Sequence, residues 1–407
     1  MKPLHVVEVV PSYVPGWRYG GPIRSVRGLT AALVRRGTRV SVVTTDHDED
    51  VVLDVDTHRP TVIDGASVHH LAVRGPARLR RSPDFARRFA DVAKDADVVH
   101  VHGLFNWHSH AALAAARRLG VPTIVSPRGM LMKEPLAARG SLKKSLWLAL
   151  LERRHLAGLA AVHTTSDLEA HELPDLGFAW PRVHVAPNGV DAPVWKGDAA
   201  RLRPDVRAAL ARGPYVLFLG RLNWKKGLDV LQAALAVCDA RVRVVIAGPD
   251  DGWRAQVLAQ RAALGLEQRV DVLDSVDGDE RAALLCCARV SVLPSRSENF
   301  GNAVAESLAA GVPVVVTREV GASEVVLRHG AGVVVEGEAG ALASALARAL
   351  ERLVLDDALH AAAAAGARRA LALDLGWDGV ARGFEVLHDE IAERAALTRR
   401  KAAARAA

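Results

Sequence analysis

Cysteine is nearly absent. The 407 residues hold three, Cys238, Cys286 and Cys287, with no CxxC spacing. Three thiols cannot staple a chain of this size. Neither a disulfide framework nor a cysteine-built zinc site is expected, and a reducing cytosol is the natural setting. Aromatic residues make up 4%, too few for base-stacking platforms. Apolar runs of about 18 residues are missing, so no segment is expected to span a bilayer. Glu8 and Pro11 break any signal-peptide core. Strong net charge is missing too: 53 Lys+Arg against 46 Asp+Glu leave +7. That mild excess suits a phosphate-bearing ligand or an anionic membrane surface. It falls short of a nucleic-acid signature, and no nucleic-acid partner is expected.

What is present is apolar and periodic. Half the residues are hydrophobic, enough to bury a sizeable core. The length suits two domains of roughly 180 to 200 residues. Short Val-rich runs alternate with Ala/Leu/Arg segments at helical period. In the first half the expected strands are 6–10, 40–45, 98–101, 123–126 and 161–165. Helices are expected from Pro22 to Gly37 and over 85–93, 111–119, 142–156 and 167–176. The second half repeats the pattern, with strands at 215–219, 242–247, 270–273, 290–293, 314–317 and 333–335. Continuous apolar strands alternating with helices imply parallel sheets covered on both faces. The fold class is α/β, with two doubly wound domains. Pro204, Gly213 and Pro214 put the boundary near 190–212. Residues 342–407 read as nearly all helix.

Two loops in the second half carry the chemistry. Gly220-Arg221-Leu222-Asn223-Trp224-Lys225-Lys226-Gly227 follows a strand, at the sheet edge where such folds bind ligands. Arg221 and Lys226 there suit a diphosphate. Pro294 to Glu306 follows another strand and opens a helix near Asn302. The backbone of Phe300, Gly301 and Asn302 at that helix start suits a phosphate or a polyhydroxyl ligand. Glu298 and Glu306 are separated by seven residues, and each carboxylate can accept bonds from neighbouring sugar hydroxyls.

These residues resemble the E-x7-E motif of retaining glycosyltransferases of glycosyltransferase family 4. The Gly20-Gly21 loop, Pro187-Asn188-Gly189-Val190-Asp191 and Ala310-Gly311-Val312-Pro313-Val314 extend the resemblance over the chain. It implies the GT-B fold: two Rossmann-like doubly wound domains facing across a cleft, and a C-terminal helix crossing back to the N-terminal domain. The implied domains are 1–195 for the acceptor, 210–375 for the nucleotide sugar, and 376–407 for the crossing helix, with Trp377 to Leu387 its core. The resemblance implies that Arg221 and Lys226 bind the donor diphosphate. Glu306 would hold the ribose, and Glu298 the transferred sugar. Gly20 and Gly21 would face the pyrophosphate, with Phe300, Gly301 and Asn302 near sugar and phosphate. The base would lie near Asp274 to Val276 and Pro249. The catalytic set is Glu298, Arg221 and Lys226.

In the first half, Gly20-Gly21-Pro22 opens a helix but is not GxGxxG, and no acidic residue follows at ribose spacing, so a nicotinamide site is disfavoured. His100 and His102 point to one side of a strand, with His108 and His110 following. A metal site, a hydrogen-bonded core histidine and an acceptor contact at His102, with Trp107 as a stacking surface, all stay open there. No carboxylate ligand accompanies these histidines in the sequence, and no metal is expected. Ser126-Pro127-Arg128-Gly129-Met130-Leu131 resembles a segment of bacterial surface-polysaccharide members of the family. Arg128 is either a phosphate or charge contact or a structural ion pair. The basic stretch Lys143 to Arg154 carries Trp147 and reads as a membrane-surface helix or as a sheet-covering helix.

The expected function is transfer of a sugar from a nucleotide-diphosphate sugar to a carbohydrate or lipid-linked acceptor. The expected setting is bacterial polysaccharide or glycoconjugate synthesis. The nucleotide sugar is a co-substrate and no cofactor is expected. The expected location is cytoplasmic, peripheral on the inner face of the membrane. The alternatives are a sugar-nucleotide 2-epimerase-like GT-B enzyme and a non-catalytic sugar-nucleotide-binding protein.

Overall fold

The computed structural model describes residues 3–18, 20–75, 81–137 and 141–406. It divides into two compact units. One is Met1–Gly189 with Trp377–Ala407, and the other is Val190–Gly376. Residues 190–209 lie with the second unit, because Leu202, Val206 and Ala209 bury against Leu217 and Leu219.

The first unit is built on eight strands: β1 His5–Val9, β2 Arg39–Thr45, β3 Thr61–Ile63, β4 Ala66–Leu71, β5 Val98–His102, β6 Thr123–Ser126, β7 Ala161–Thr164 and β8 Arg182–Val185. Their order is β8-β7-β6-β5-β1-β2-β4-β3. Only the β3–β4 pair is antiparallel among these. Period-2 alternation sends Val7, Val9, Val99, Val101, Val125 and Val162 to one face, under helices Phe85–Ala93 and Trp107–Leu119. The opposite face takes Val98, Ile124 and Ala161, under helices Gly21–Arg35 and Trp377–Ala406. Trp377 fills a slot that only glycine leaves open. A Cβ on Gly28 or Gly189 would come within 2.0 or 2.2 Å of its ring.

Several expectations needed correction. β3, β4 and β8 lie outside the expected strands, because their sequences mix polar residues and histidines into the alternation. The expected helix 167–176 stops at His171, as Pro174 forbids continuation. The expected helix 142–156 is three pieces, Ser141–Trp147, Leu148–Glu152 and Arg153–Leu156. The middle piece is wound one residue wider, and Trp147 Nε1 donates across it to Glu152 Oε1 at 2.9 Å.

The second unit holds β9 Val216–Leu219, β10 Val244–Ala247, β11 Val270–Leu273, β12 Val290–Leu293, β13 Val314–Thr317 and β14 Gly332–Val335. All pair in parallel, in the order β11-β10-β9-β12-β13-β14. β9 lies beside both β10 and β12, so the chain reverses direction there. The loops after β9 and β12 leave that switch point side by side, where open α/β sheets bind ligands.

Candidate functional site

The loop after β9 is a single tight turn, Trp224–Lys226. Asn223 Oδ1 accepts from the Lys225 N–H at 3.0 Å, and Gly227 closes the turn at φ 66°. A Cβ at Gly227 would lie 2.0 Å from the Pro294 carbonyl oxygen, so the two loops touch along their backbones. Arg296 fastens them. Its N–H donates to the Lys225 carbonyl at 2.7 Å, and its guanidinium reaches the Trp224 carbonyl at 2.7 Å. The same guanidinium grips Asp229 through two bonds of 2.9 and 2.6 Å.

That frame sets Lys226 Nζ against Glu298 Oε2 in a half-buried ion pair. Glu298 is anchored through its backbone. Its N–H donates to Glu319 O at 3.0 Å, and its carbonyl accepts from Gly321 N at 3.1 Å. Phe300 turns its ring into the core. Gly301 starts helix Asn302–Ala309 at φ 93°, where a Cβ would crowd Val320 and Leu293 at 2.9 and 3.2 Å. Glu306 lies in the second turn of that helix and pairs with Arg281 from helix Gly278–Cys287. Arg221 differs from Lys226: its side chain is 71% exposed and stands 3.5 Å from Asp251. Sequence reasoning missed Arg281 and Arg296. Only Arg296 carried a local signal, since it sits inside the loop already singled out.

In the first unit, Gly20 adopts φ 59° and precedes helix Gly21–Arg35. Among the described residues nothing lies within 4 Å of where its Cβ would be, which leaves room for a ligand to approach the backbone. The loops after β5 and β6 both contain non-glycine residues held at positive φ, Phe105 at 59° and Arg128 at 57°. Such strain concentrates at functional sites. Asn106 caps helix Trp107–Leu119 through Ser109 N at 2.8 Å, leaving Trp107 on the surface with its ring 5.2 Å from His110.

Behind this edge lies a buried polar ladder. Strand register pairs Glu8 with His100. The expectation that no carboxylate accompanies the histidines is therefore corrected. Glu8 was read only as an interruption of an apolar run, and the neighbouring strand that supplies it is about 90 residues away. His102 Nε2 lies 2.5 Å from Glu8 Oε2, and Arg128 Nη2 donates to His102 Nδ1 at 3.0 Å. Arg128 also reaches Asn188 Oδ1 at 2.6 Å and Ser25 Oγ at 3.3 Å. Glu169 braces the same loop, accepting from Gly129 N at 2.6 Å and Thr165 N at 2.8 Å. His108 and His110 stand elsewhere, beside Val43 O at 3.2 Å and Glu152 Oε1 at 3.4 Å, because the helix carries them to the other face.

Burial pulls His102 down to about 3, so it is neutral. Burial would raise Glu8, but the adjoining histidines outweigh it and hold its carboxyl well below the usual range. Ligand atoms of Glu8, His100 and His102 lie within 4.8 Å of one another. A cation fits them poorly. Bound at His102 Nε2, it would force the ring proton onto Nδ1, where Arg128 already donates.

Two Rossmann-like α/β units, each with a charged cluster at the carboxyl edge of its parallel sheet, define a GT-B glycosyltransferase. Residues 213–353 match the family model for glycosyl transferases group 1, and residues 20–189 match the glycosyl transferase 4-like domain. A D-inositol 3-phosphate glycosyltransferase of Xylanimonas cellulosilytica is 31% identical over 402 residues, covering 92% of this chain and 93% of that protein. A GDP-mannose:cellobiosyl-diphosphopolyprenol alpha-mannosyltransferase of Xanthomonas campestris is 31% identical over 61% of this chain and 62% of its own. Sucrose-phosphate synthase from Thermosynechococcus elongatus has the same fold, with a TM-score of 0.71 at 21% identity. It covers 95% of this chain and 99% of its own. The chain belongs to the group 1 glycosyltransferase family.

Proposed function

We propose that this glycosyltransferase is a retaining, metal-independent hexosyltransferase that takes a nucleoside-diphosphate sugar as donor. The Lys226–Glu298 pair carries the reading. It sets a cation and an oriented carboxylate side by side at the start of helix Asn302–Ala309, matching a phosphate joined to a sugar. Lys226 and Arg221 neutralise the diphosphate with that helix dipole, without a cofactor. Glu306 holds the ribose, and Glu298 the transferred sugar. Departure of the diphosphate leaves an oxocarbenium-like ring. The acceptor attacks on the same face and passes its proton to the departing phosphate oxygen. Trp107 and Arg128 face the acceptor side, with His102 buried behind Arg128. A thermal-shift screen of sugar nucleotides tests this. Native-state binding at 100-fold over Kd raises stability by about 2.7 kcal/mol, and no shift with any of them refutes the reading.

The acceptor is a carbohydrate or a lipid-linked sugar, and the protein works as a peripheral protein on the inner membrane face. Among the described residues no helix is long and apolar enough to cross a membrane. Leu142, Leu146 and Leu150 recur every four residues at 82, 57 and 68% exposure, with Lys143, Arg153 and Arg154 exposed among them. Such a stripe suits an anionic interface. Leu146→Glu is expected to reduce sedimentation with phosphatidylglycerol vesicles. Equal sedimentation of both proteins refutes the membrane role.

A further inference from the structure

The buried ladder fixes its own protons from both ends. At one end, His163 Nε2 faces the Ala186 carbonyl at 3.0 Å and must carry a hydrogen. His163 Nδ1 is then an acceptor for the Ser126 hydroxyl at 2.6 Å. The Ser126 oxygen in turn accepts from His100 Nε2 at 2.7 Å. At the other end, Arg128 can only donate. His102 Nδ1 therefore carries a lone pair, and its Nε2–H points at Glu8 Oε2.

The two chains meet at His100 Nδ1 and Glu8 Oε2, which are 3.5 Å apart and fully buried. Neither chain supplies a hydrogen to that gap. Without one, a nitrogen lone pair faces a carboxylate in a medium that strengthens repulsion. We infer that Glu8 and His100 share one buried proton, and that Glu8, acting through His102, is the positioning residue for Arg128. The second clause rests on the reading of Arg128 as a substrate contact; the first does not.

The proton changes what Arg128 can offer. Every charged or titratable group around the ladder bears on this. Glu8 comes from β1, with Tyr13 beyond it. His100 and His102 come from β5, His163 from β7 and His184 from β8. Glu169 comes from helix Asp167–His171, and His388 from helix Trp377–Ala406. Arg128 faces two carboxylates, Glu8 and Glu169. With the shared proton the group is neutral, and without it the group is negative. An anionic substrate at this sheet edge therefore meets an Arg128 opposed by Glu169 alone while the proton is held, and by both carboxylates once it leaves.

The decisive variant is Glu8→Gln. Its amide oxygen, in the place of Oε2, can still accept from His102, and its side chain carries no charge at any pH. Glu8→Ala removes the bond to His102. Nitrogen-15 spectra of the histidine rings, with infrared difference spectra against Glu8→Gln, locate the proton. The expected result is an imidazolium at His100 beside an ionised Glu8 at neutral pH, with His102 in its Nε2–H form. Finding a neutral His100 and an ionised Glu8 together overturns the shared proton. The bond from Arg128 Nη2 to His102 Nδ1 should give a scalar coupling in the wild type and in Glu8→Gln and lose it in Glu8→Ala, while the bonds to Asn188 and Ser25 stay. Retention of that coupling in Glu8→Ala overturns the positioning role. With GDP-mannose or UDP-glucose as donor, Glu8→Ala should lower kcat/KM on the order of 100-fold. In the wild type kcat/KM should fall at alkaline pH as the shared proton leaves; Glu8→Gln should restore kcat/KM and show no such fall. If neither donor turns over, the reading of the site fails while the spectra still decide the proton.

Discussion

Lys226 and Glu298 stand 72 residues apart in the chain and meet in an ion pair where the loops after β9 and β12 cross. The pair exists because Gly227 lets one backbone rest on Pro294 and because Arg296 ties both loops to Asp229. On the proposed reading, a donor engages these two side chains as a unit.

The two basic residues should therefore differ. Lys226→Ala removes a shielded cation and leaves Glu298 without it, so it should cost about 2–5 kcal/mol in donor affinity or turnover. Arg221, mostly exposed beside Asp251, should cost about 1 kcal/mol or less when changed to alanine. Calorimetry with a nucleoside diphosphate, alongside turnover, checks this. Equal losses would return Arg221 to an equal share in the clamp.

Glu306 and Glu298 should also fail differently. Glu306→Gln should weaken sugar nucleotide and free nucleoside diphosphate together, and Arg281→Ala should imitate it, because Arg281 holds that carboxylate. Glu298→Gln should leave nucleoside diphosphate affinity nearly intact and lower turnover, since hydroxyl contacts matter most as the ring flattens. If Glu298→Gln loses nucleoside diphosphate affinity as badly as Glu306→Gln, the two roles are wrongly divided.

The loops of the second unit were legible because their signals are local. A strand, a turn with Arg221 and Lys226, and a helix opening at Asn302 follow one another within short windows. Apolar strands such as Val314–Thr317 announce burial on both faces. The first unit was less legible, because its polar ladder is assembled across strands. Glu8, His100, Ser126, His163 and His184 come from five strands and look like isolated polar residues in Val-rich runs. Arg281 shows the same limit in the second unit: nothing near it in sequence points to Glu306.

Gly301→Ala should destabilise the second unit. Its φ of 93° disfavours any side chain, and Val320 and Leu293 close the space. A cost of about 1–3 kcal/mol from backbone strain alone is expected, with the crowding added. Gly20→Ala shares the positive φ but meets nothing within 4 Å among the described residues, so its Tm should fall less. Equal falls in Tm would mean that crowding contributes nothing at Gly301.

Acid should unfold the first unit through its buried histidines. His388 lies fully buried beside Phe384, and neither ring nitrogen has a partner among the described residues. Burial pulls His388 and His102 down to about 3 from the ordinary 6.5. Each is neutral in the fold and protonates on unfolding whenever the pH lies between those values. The unfolded chain then binds more protons, so stability rises with pH. The contribution is complete above 6.5 and is lost steadily as pH falls toward 3. Each histidine should account for roughly 1 kcal/mol or slightly more per pH unit in that window. His388→Phe removes one such group without breaking a hydrogen bond. Its Tm should exceed the wild type's clearly at pH 5 and only slightly at pH 8, and the slope of stability against pH should become shallower. A Tm difference that is the same at both pH values would show that His388 acts by packing alone.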